Sequence, residues 1–145
     1  MTASAVPANG RRRLPQDRAG VTRKITIRAG DGDGPRVVDV YVTVGMYDDG
    51  APGEVFLRIG KAGSLASGMA DALSTMMSLA LQYGVPMRAI VEKLRAMRFE
   101  PAGPTGDPEI GIALSICDAV AKWLALRFCG EASNVVPIGQ GKARP

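Results

Sequence analysis

The sequence predicts an α+β fold, a three-stranded antiparallel meander followed by three helices packed on one face. Apolar and polar residues alternate with a period of two up to Ile59, and a period of 3.6 replaces that alternation after Ser64. The two loops between the strands are rich in Gly, Asp and Pro and are too short to hold a crossover helix. Strands joined by such loops run antiparallel, and the helical segments then cover their apolar face.

The three predicted strands share one apolar face. The first begins at Arg23, the second covers residues 37–44 and the third covers residues 54–59. Because polar residues alternate with the apolar ones, we expect the opposite face to be half exposed. The residues predicted to face the core are Ile25, Ile27, Val38, Val40, Val42, Val44, Val55, Leu57 and Ile59.

The first helix is predicted between Ser64, a plausible N-cap, and Gly84, which supplies a C-terminal stop. Most of its other residues are small, which suits the close approach of another helix or subunit. Its larger residues recur at spacings of three and four, which is typical of a core-facing stripe. The members of that stripe are Leu65, Met69, Leu73, Met76, Ala80 and Tyr83.

Two further helices are predicted. The second begins with Pro86 in its first turn, and the third opens with Asp107-Pro108-Glu109 and ends at Gly130. The residues predicted to be buried on the second are Met87, Ile90, Val91, Leu94 and Met97. Those predicted for the third are Ile112, Ile116, Cys117, Val120, Trp123, Leu124 and Phe128.

The termini differ in composition from the predicted domain, residues 23–130. Residues 1–28 hold seven basic residues and one acid, whereas the remaining chain carries a net charge of −2. We predict a flexible basic arm over residues 1–22 and a loose tail over residues 131–145. The basic composition of the arm is explained by a solvated tail. The alternative is that the arm contacts nucleic acid or another acidic surface.

Histidine is absent, which excludes imidazole bases, Ser-His and Cys-His nucleophiles and histidine metal sites. The only cysteines, Cys117 and Cys129, are twelve residues apart on one predicted helix, so they lie about 18 Å apart, beyond disulfide reach. Two reduced thiols favour a cytoplasmic protein. No apolar segment approaches the roughly 20 residues that span a bilayer, so we expect no membrane partner.

The candidate binding site is the loop Gly60-Lys61-Ala62-Gly63-Ser64. Here free backbone amides, a helix N-terminus and a lysine converge, and Gly60, Lys61, Gly63 and Ser64 are the predicted contacts for a phosphate or nucleotide. The spacing is not that of a Walker A loop, and a glycine-rich turn before a capped helix explains the same residues.

No catalytic or metal-binding constellation is predicted. Asp48-Asp49 lies in a turn and Asp107 with Glu109 at a helix start, so structure alone explains these carboxylates. The run from Asp31 to Gly34 begins like a calcium loop, but Pro35 and Arg36 follow and no glutamate closes it.

Several segments together resemble a known domain. They include Lys61-Ala62-Gly63-Ser64, Arg98-Phe99-Glu100-Pro101 and the segments at residues 42–56, 80–86, 105–110 and 123–128. In this order they resemble the TSCPD-type domain near the C-terminus of adenosylcobalamin-dependent (class II) ribonucleotide reductases. The resemblance covers roughly residues 24–128.

The resemblance implies a module associated with ribonucleotide reduction for DNA synthesis. In that family the radical chemistry and the adenosylcobalamin site belong to a separate large barrel, so we expect no cofactor on this chain and no turnover by it alone. The family's C-terminal cysteine pair has no counterpart at residues 135–140, and Cys117 and Cys129 do not replace it.

Three functional hypotheses remain open at this stage. The first is an accessory module that contacts a large reductase chain. The second is an independent protein that binds a nucleotide through the loop at Lys61 or nucleic acid through the basic arm. The third is an oligomerisation module that pairs with a second copy through the first helix.

Overall fold

The computed structural model describes residues 10–31, 34–60 and 64–131 of the chain. It confirms the α+β fold, with a three-stranded sheet followed by three helices, and adds one short unpredicted hairpin before the last helix. None of the described helices is long and apolar enough to cross a bilayer. The elements are β1 (Gly20–Asp31), β2 (Gly34–Met46), β3 (Pro52–Ile59), α1 (Leu65–Gln82), α2 (Met87–Leu94), β4 (Gly103–Pro104), β5 (Ile112–Ala113) and α3 (Ile116–Phe128).

The large sheet is an antiparallel meander in the order β1-β2-β3. Its register places Ile25 opposite Val40 and Val42 opposite Leu57, so the inward side chains of the three strands lie side by side. Every predicted inward residue is buried except Val38, which is half-buried. Burial stabilises the fold by roughly 1.5–3 kcal/mol for each such side chain, as an upper bound, so this face anchors the core.

The helix α3 is the most buried helix, and α2 packs against it. Val120 and Leu124 of α3 are fully buried, as is Val91 of α2. The prediction for Met97 is wrong, because it follows the end of α2 and is exposed.

The predicted start of the third helix is also wrong. The backbone at Asp107 closes a turn by accepting hydrogen bonds from the N–H groups of Ile110 and Gly111, at 3.1 and 2.8 Å. Gly111 then adopts a positive φ of 75°, which interrupts any helix there. The helix begins only after Ser115, whose hydroxyl accepts from the N–H of Asp118 at 3.0 Å. Consequently Ile112 lies in β5 and is exposed.

The helix α1 presents a different face to the core from the one predicted. Its predicted core residues Leu65, Met69, Met76 and Tyr83 are 83%, 63%, 63% and 53% exposed, and we call these four the apolar stripe. The predicted stripe is therefore wrong for these four, while Leu73 and Ala80 are half-buried. The residues of α1 that are buried are Ala70, Ser74, Met77, Leu81 and Gln82.

This orientation of α1 follows from its position beside β3, one of the two edge strands of the sheet. Ser74 Oγ accepts from the N–H of Leu57 at 2.9 Å, and Ser78 Oγ accepts from the N–H of Val55 at 2.9 Å and donates to its carbonyl at 3.1 Å. Gln82 Nε2 donates to the carbonyl of Gly53 at 3.0 Å. We call Ser74, Ser78 and Gln82, which are spaced four apart, the edge ladder.

The edge ladder supplies hydrogen-bond partners to backbone groups that α1 covers. A buried backbone N–H without a partner costs about 1–3 kcal/mol, and leucine or methionine cannot supply one. The small side of α1 is thus approached closely, as predicted, but at Ser74 and Ser78 the approaching element is a strand of the same chain.

The described part of the predicted arm lies against the domain. Gly20 and Thr22 already belong to β1, so the strand begins before Arg23. Further upstream, the Arg12 N–H donates to the carbonyl of Gln82 at 2.8 Å, and the Arg12 guanidinium lies 3.8 Å from the centroid of the Tyr47 ring. These contacts place Arg12 between the end of α1 and Tyr47, which follows β2.

Candidate functional site

The predicted phosphate loop is described only at its two ends. Gly60 is exposed with a φ of 62°, and Ser64 is confirmed as the N-cap of α1, since its hydroxyl accepts from the N–H of Ser67 at 3.1 Å. Lys61 and Gly63 lie outside the described residues. Phosphate binding at this loop stays a prediction.

A larger concave surface lies on the opposite, open face of the sheet, where α1 forms one wall. This groove, which we call the sheet groove, has a volume of about 840 Å³. Its floor comes from outward-facing strand residues, and its wall comes from the side of α1 that lies away from the apolar stripe. The residues that line it include Arg11, Thr22, Tyr41, Thr43, Glu54, Phe56, Arg58, Asp71, Thr75, Ser78 and Gln82.

The floor combines aromatic rings with cations. Phe56 lies between the buried Val55 and Leu57 on β3, so strand alternation turns its ring outward, where it is half exposed. The guanidinium of Arg58 on β3 lies 5.2 Å from the centroid of the Tyr41 ring on β2. The ammonium of Lys24 on β1, which is beside the groove and not in its lining, lies 5.9 Å from the same centroid.

Charged residues of the arm close one end of the groove. Arg18 donates two hydrogen bonds to the Glu54 carboxylate, at 2.5 and 3.0 Å, and this bond to Glu54 raises the pKa of Arg18. Gly45 permits this pair, because a side chain there would clash with the Glu54 carboxylate. Arg11 Nε donates to Gln82 Oε1 at 2.7 Å, which links the arm to the edge ladder.

The thiols show no sign of nucleophilic activation. Cys117 and Cys129 are both half-buried and free, at the two ends of α3. Burial raises the pKa of each thiol, so both stay protonated near neutral pH. Among the described residues, no group of three or more Cys, Asp or Glu side chains could hold a metal ion.

Asp118 is a fully buried carboxylate with a structural role. Its two oxygens accept from the backbone N–H groups of Ala96 and Leu114, at 2.8 and 2.9 Å, and Lys122 Nζ lies 3.0 Å away. Burial acts to raise the pKa of Asp118, but these hydrogen bonds and Lys122 outweigh it and the pKa is lowered. The carboxylate therefore ties the loop after α2 to the start of α3.

Sequence reasoning missed the sheet groove, although the necessary signal was present. The predicted alternation on β3 places Phe56 and Arg58 on the open face, and that on β2 places Tyr41 there. What the pattern does not give is the wall, because α1 was predicted to lie with its other side inward.

Comparison with known proteins gives one family. The model of the TSCPD domain matches residues 7–128, which includes part of the predicted arm. No solved structure matches the chain.

The relatives compared with this chain are much longer than it is. A vitamin B12-dependent ribonucleotide reductase of Rhodopirellula baltica is 40% identical over 134 residues, which is 92% of this chain and 12% of the relative. The protein of the same name from Streptomyces clavuligerus is 45% identical over 81% of this chain and 11% of its own length, and that from Bradyrhizobium diazoefficiens is 36% identical over 81% and 9%. The chain thus spans about a tenth of these relatives.

Proposed function

This chain belongs to the TSCPD domain family, and on that premise we propose that it is a ribonucleotide-reductase-associated module that acts by binding a large vitamin B12-dependent reductase chain. In this role it takes part in ribonucleotide reduction for DNA synthesis, while the radical chemistry resides on the large chain.

The observation that carries this proposal is the extent of the match. The alignment covers nearly the whole folded domain here, and in each relative it covers only about a tenth of a protein named as a reductase. In those relatives the equivalent domain is joined covalently to the rest of the reductase, so a surface that contacts the remainder of the protein is expected on it.

The apolar stripe of α1 suits such a contact. Met69, Met76 and Tyr83 are seven residues apart, and Leu65 precedes Met69 by four, which is the spacing of a coiled-coil seam. The described residues leave all four side chains more than half exposed, and neither flank of the stripe carries a charged residue between positions 72 and 80. An exposed apolar seam of this length is typical of surfaces that bind another protein. We assign it to a helix of the large reductase chain.

The test uses the full chain and the purified vitamin B12-dependent reductase of the same source, mixed and analysed by size-exclusion chromatography with light scattering. We expect a complex that the double variant Met69→Glu with Met76→Glu weakens at least tenfold, because it places two charges in the buried seam. The matched control is Thr75→Glu, since position 75 is exposed on the same helix about 100° away from Met76.

Two outcomes would contradict the proposal. One is the absence of a complex at micromolar concentrations of both proteins. The other is a homodimer that the double variant dissociates while no reductase is bound, which would assign the apolar stripe to self-association.

A further inference from the structure

We propose that the sheet groove binds an unpaired nucleotide, either free or within a single strand, by stacking its base on the exposed ring of Phe56, beside Tyr41, and holding its phosphate with Arg58. This site lies on the other side of α1 from the apolar stripe and does not depend on the proposed function.

The aromatic pair carries the base-binding part of the argument. In the sheet register Phe56 lies opposite Thr43 and Arg58 lies opposite Tyr41, so the two rings are diagonal neighbours on adjacent strands. Diagonal neighbours are separated by about 7–8 Å or less, within reach of one ligand. Phe56 lies on the outer face of the sheet and is 52% exposed, so its ring contributes little to the core and is accessible to a ligand. Such a platform accepts any base, because every base has a π face.

The cations beside the rings can bind the phosphate. Arg58 lies over Tyr41 at 5.2 Å, and no carboxylate of the described residues pairs with it. Lys24, beside the groove and not in its lining, has one weak partner, Asp39 at 3.9 Å; both side chains are about half exposed, so that pair contributes little and the ammonium adds positive charge near Arg58. A guanidinium next to an exposed ring can hold a phosphate while the attached base stacks.

The remainder of the groove is compatible with a nucleotide. Glu54 would repel a phosphate, but its carboxylate is neutralised by the two hydrogen bonds from Arg18. The hydroxyls of Thr22 and Thr43, 2.8 Å apart and exposed, offer donors and acceptors to a sugar or a base edge. The Asp71 carboxylate on the wall would repel a phosphate but accepts from a sugar hydroxyl or a base amine, which orients the phosphate toward Arg58. The volume of about 840 Å³ lies in the range of small-molecule sites.

Fluorescence anisotropy with a labelled dT10 oligonucleotide, and calorimetry with ATP, test the proposal on the full chain. We expect Phe56→Ala to weaken binding about tenfold, since stacking contributes roughly 1–3 kcal/mol per base. Phe56→Leu keeps an apolar side chain without a π face and should behave in the same way. Phe99→Ala is the matched control, because Phe99 is similarly exposed outside the groove.

Charge variants separate the groove from the two other basic candidates. Arg58→Ala should weaken binding and lower its salt dependence. Arg13→Ala in the arm should leave binding within twofold. Lys61→Ala reports on the predicted loop, and a loss of binding in that variant without a loss in Arg58→Ala would assign the phosphate to the loop. Binding of dT10 alone indicates a single strand, and binding of ATP alone indicates a free nucleotide.

The proposal is overturned if neither probe binds, if Phe56→Ala and Phe99→Ala bind alike, or if only Arg13→Ala or Lys61→Ala reduces binding. Circular dichroism and urea unfolding of each variant would establish that it folds as the parent chain does.

Discussion

The two sides of α1 depart from the usual distribution, in which a helix turns its apolar residues inward and its polar residues outward. The side that faces β3 uses the hydroxyls of Ser74 and Ser78 and the amide of Gln82, whereas the apolar stripe faces outward. A helix that covers the face of a sheet needs only apolar surface. A helix that covers the edge must also satisfy backbone donors and acceptors, so its inner side must be partly polar.

The difference between the inner and outer sides of α1 is tested most strongly by two adjacent methionines. Met77 is 4% exposed and Met76 is 63% exposed. We expect Met77→Ala to lower the free energy of unfolding by about 3 kcal/mol, because it leaves a cavity, and Met76→Ala to change it by less than about 0.5 kcal/mol. Urea unfolding measures both. Equal losses would mean that α1 is rotated from the orientation described.

The edge ladder gives the next effect. Replacing Ser74 and Ser78 together by Ala leaves the N–H groups of Leu57 and Val55 without side-chain partners, and we expect a loss of about 2 kcal/mol by urea unfolding. Thr75→Ala is the control, because the Thr75 hydroxyl donates only to the carbonyl of Asp71 in its own helix. If the serine double variant were as stable as the control, edge coverage would not explain the inner side of α1.

A smaller, pH-dependent change in stability distinguishes a charged side-chain acceptor of backbone hydrogen bonds from neutral ones. Asp118 accepts two backbone hydrogen bonds as a carboxylate, whereas the edge ladder does so with hydroxyls. Because the folded pKa of Asp118 is lowered, its stabilisation is present above the unfolded pKa, about 3.9, and is lost as pH falls through the folded pKa.

Unfolding free energies between pH 6 and pH 2 would show this difference. The gap between the parent chain and Asp118→Asn should narrow below about pH 4, since only the parent has the carboxylate to protonate. The gap between the parent and the double serine variant should stay constant, because hydroxyls do not titrate there. A gap for Asp118→Asn that does not change with pH would contradict the lowered pKa.

The sequence by itself determined the elements whose partners are local or uniformly apolar. Alternation identified all three long strands and their inward residues, and the caps at Ser64 and Gly84 marked both ends of α1. These signals are sufficient because strand facing and helix capping depend on residues within a few positions of each other.

Only the tertiary structure decided the orientation of α1, the start of α3 and the position of the sheet groove. The 3.6-residue period distinguishes the sides of a helix. It carries no information that β3 is an edge strand whose N–H groups at Val55 and Leu57 need partners. Those groups are satisfied by Ser74 and Ser78, residues 17 to 23 positions away. Satisfying buried backbone hydrogen bonds outweighed burying the larger apolar side chains, and the apolar stripe was left outside.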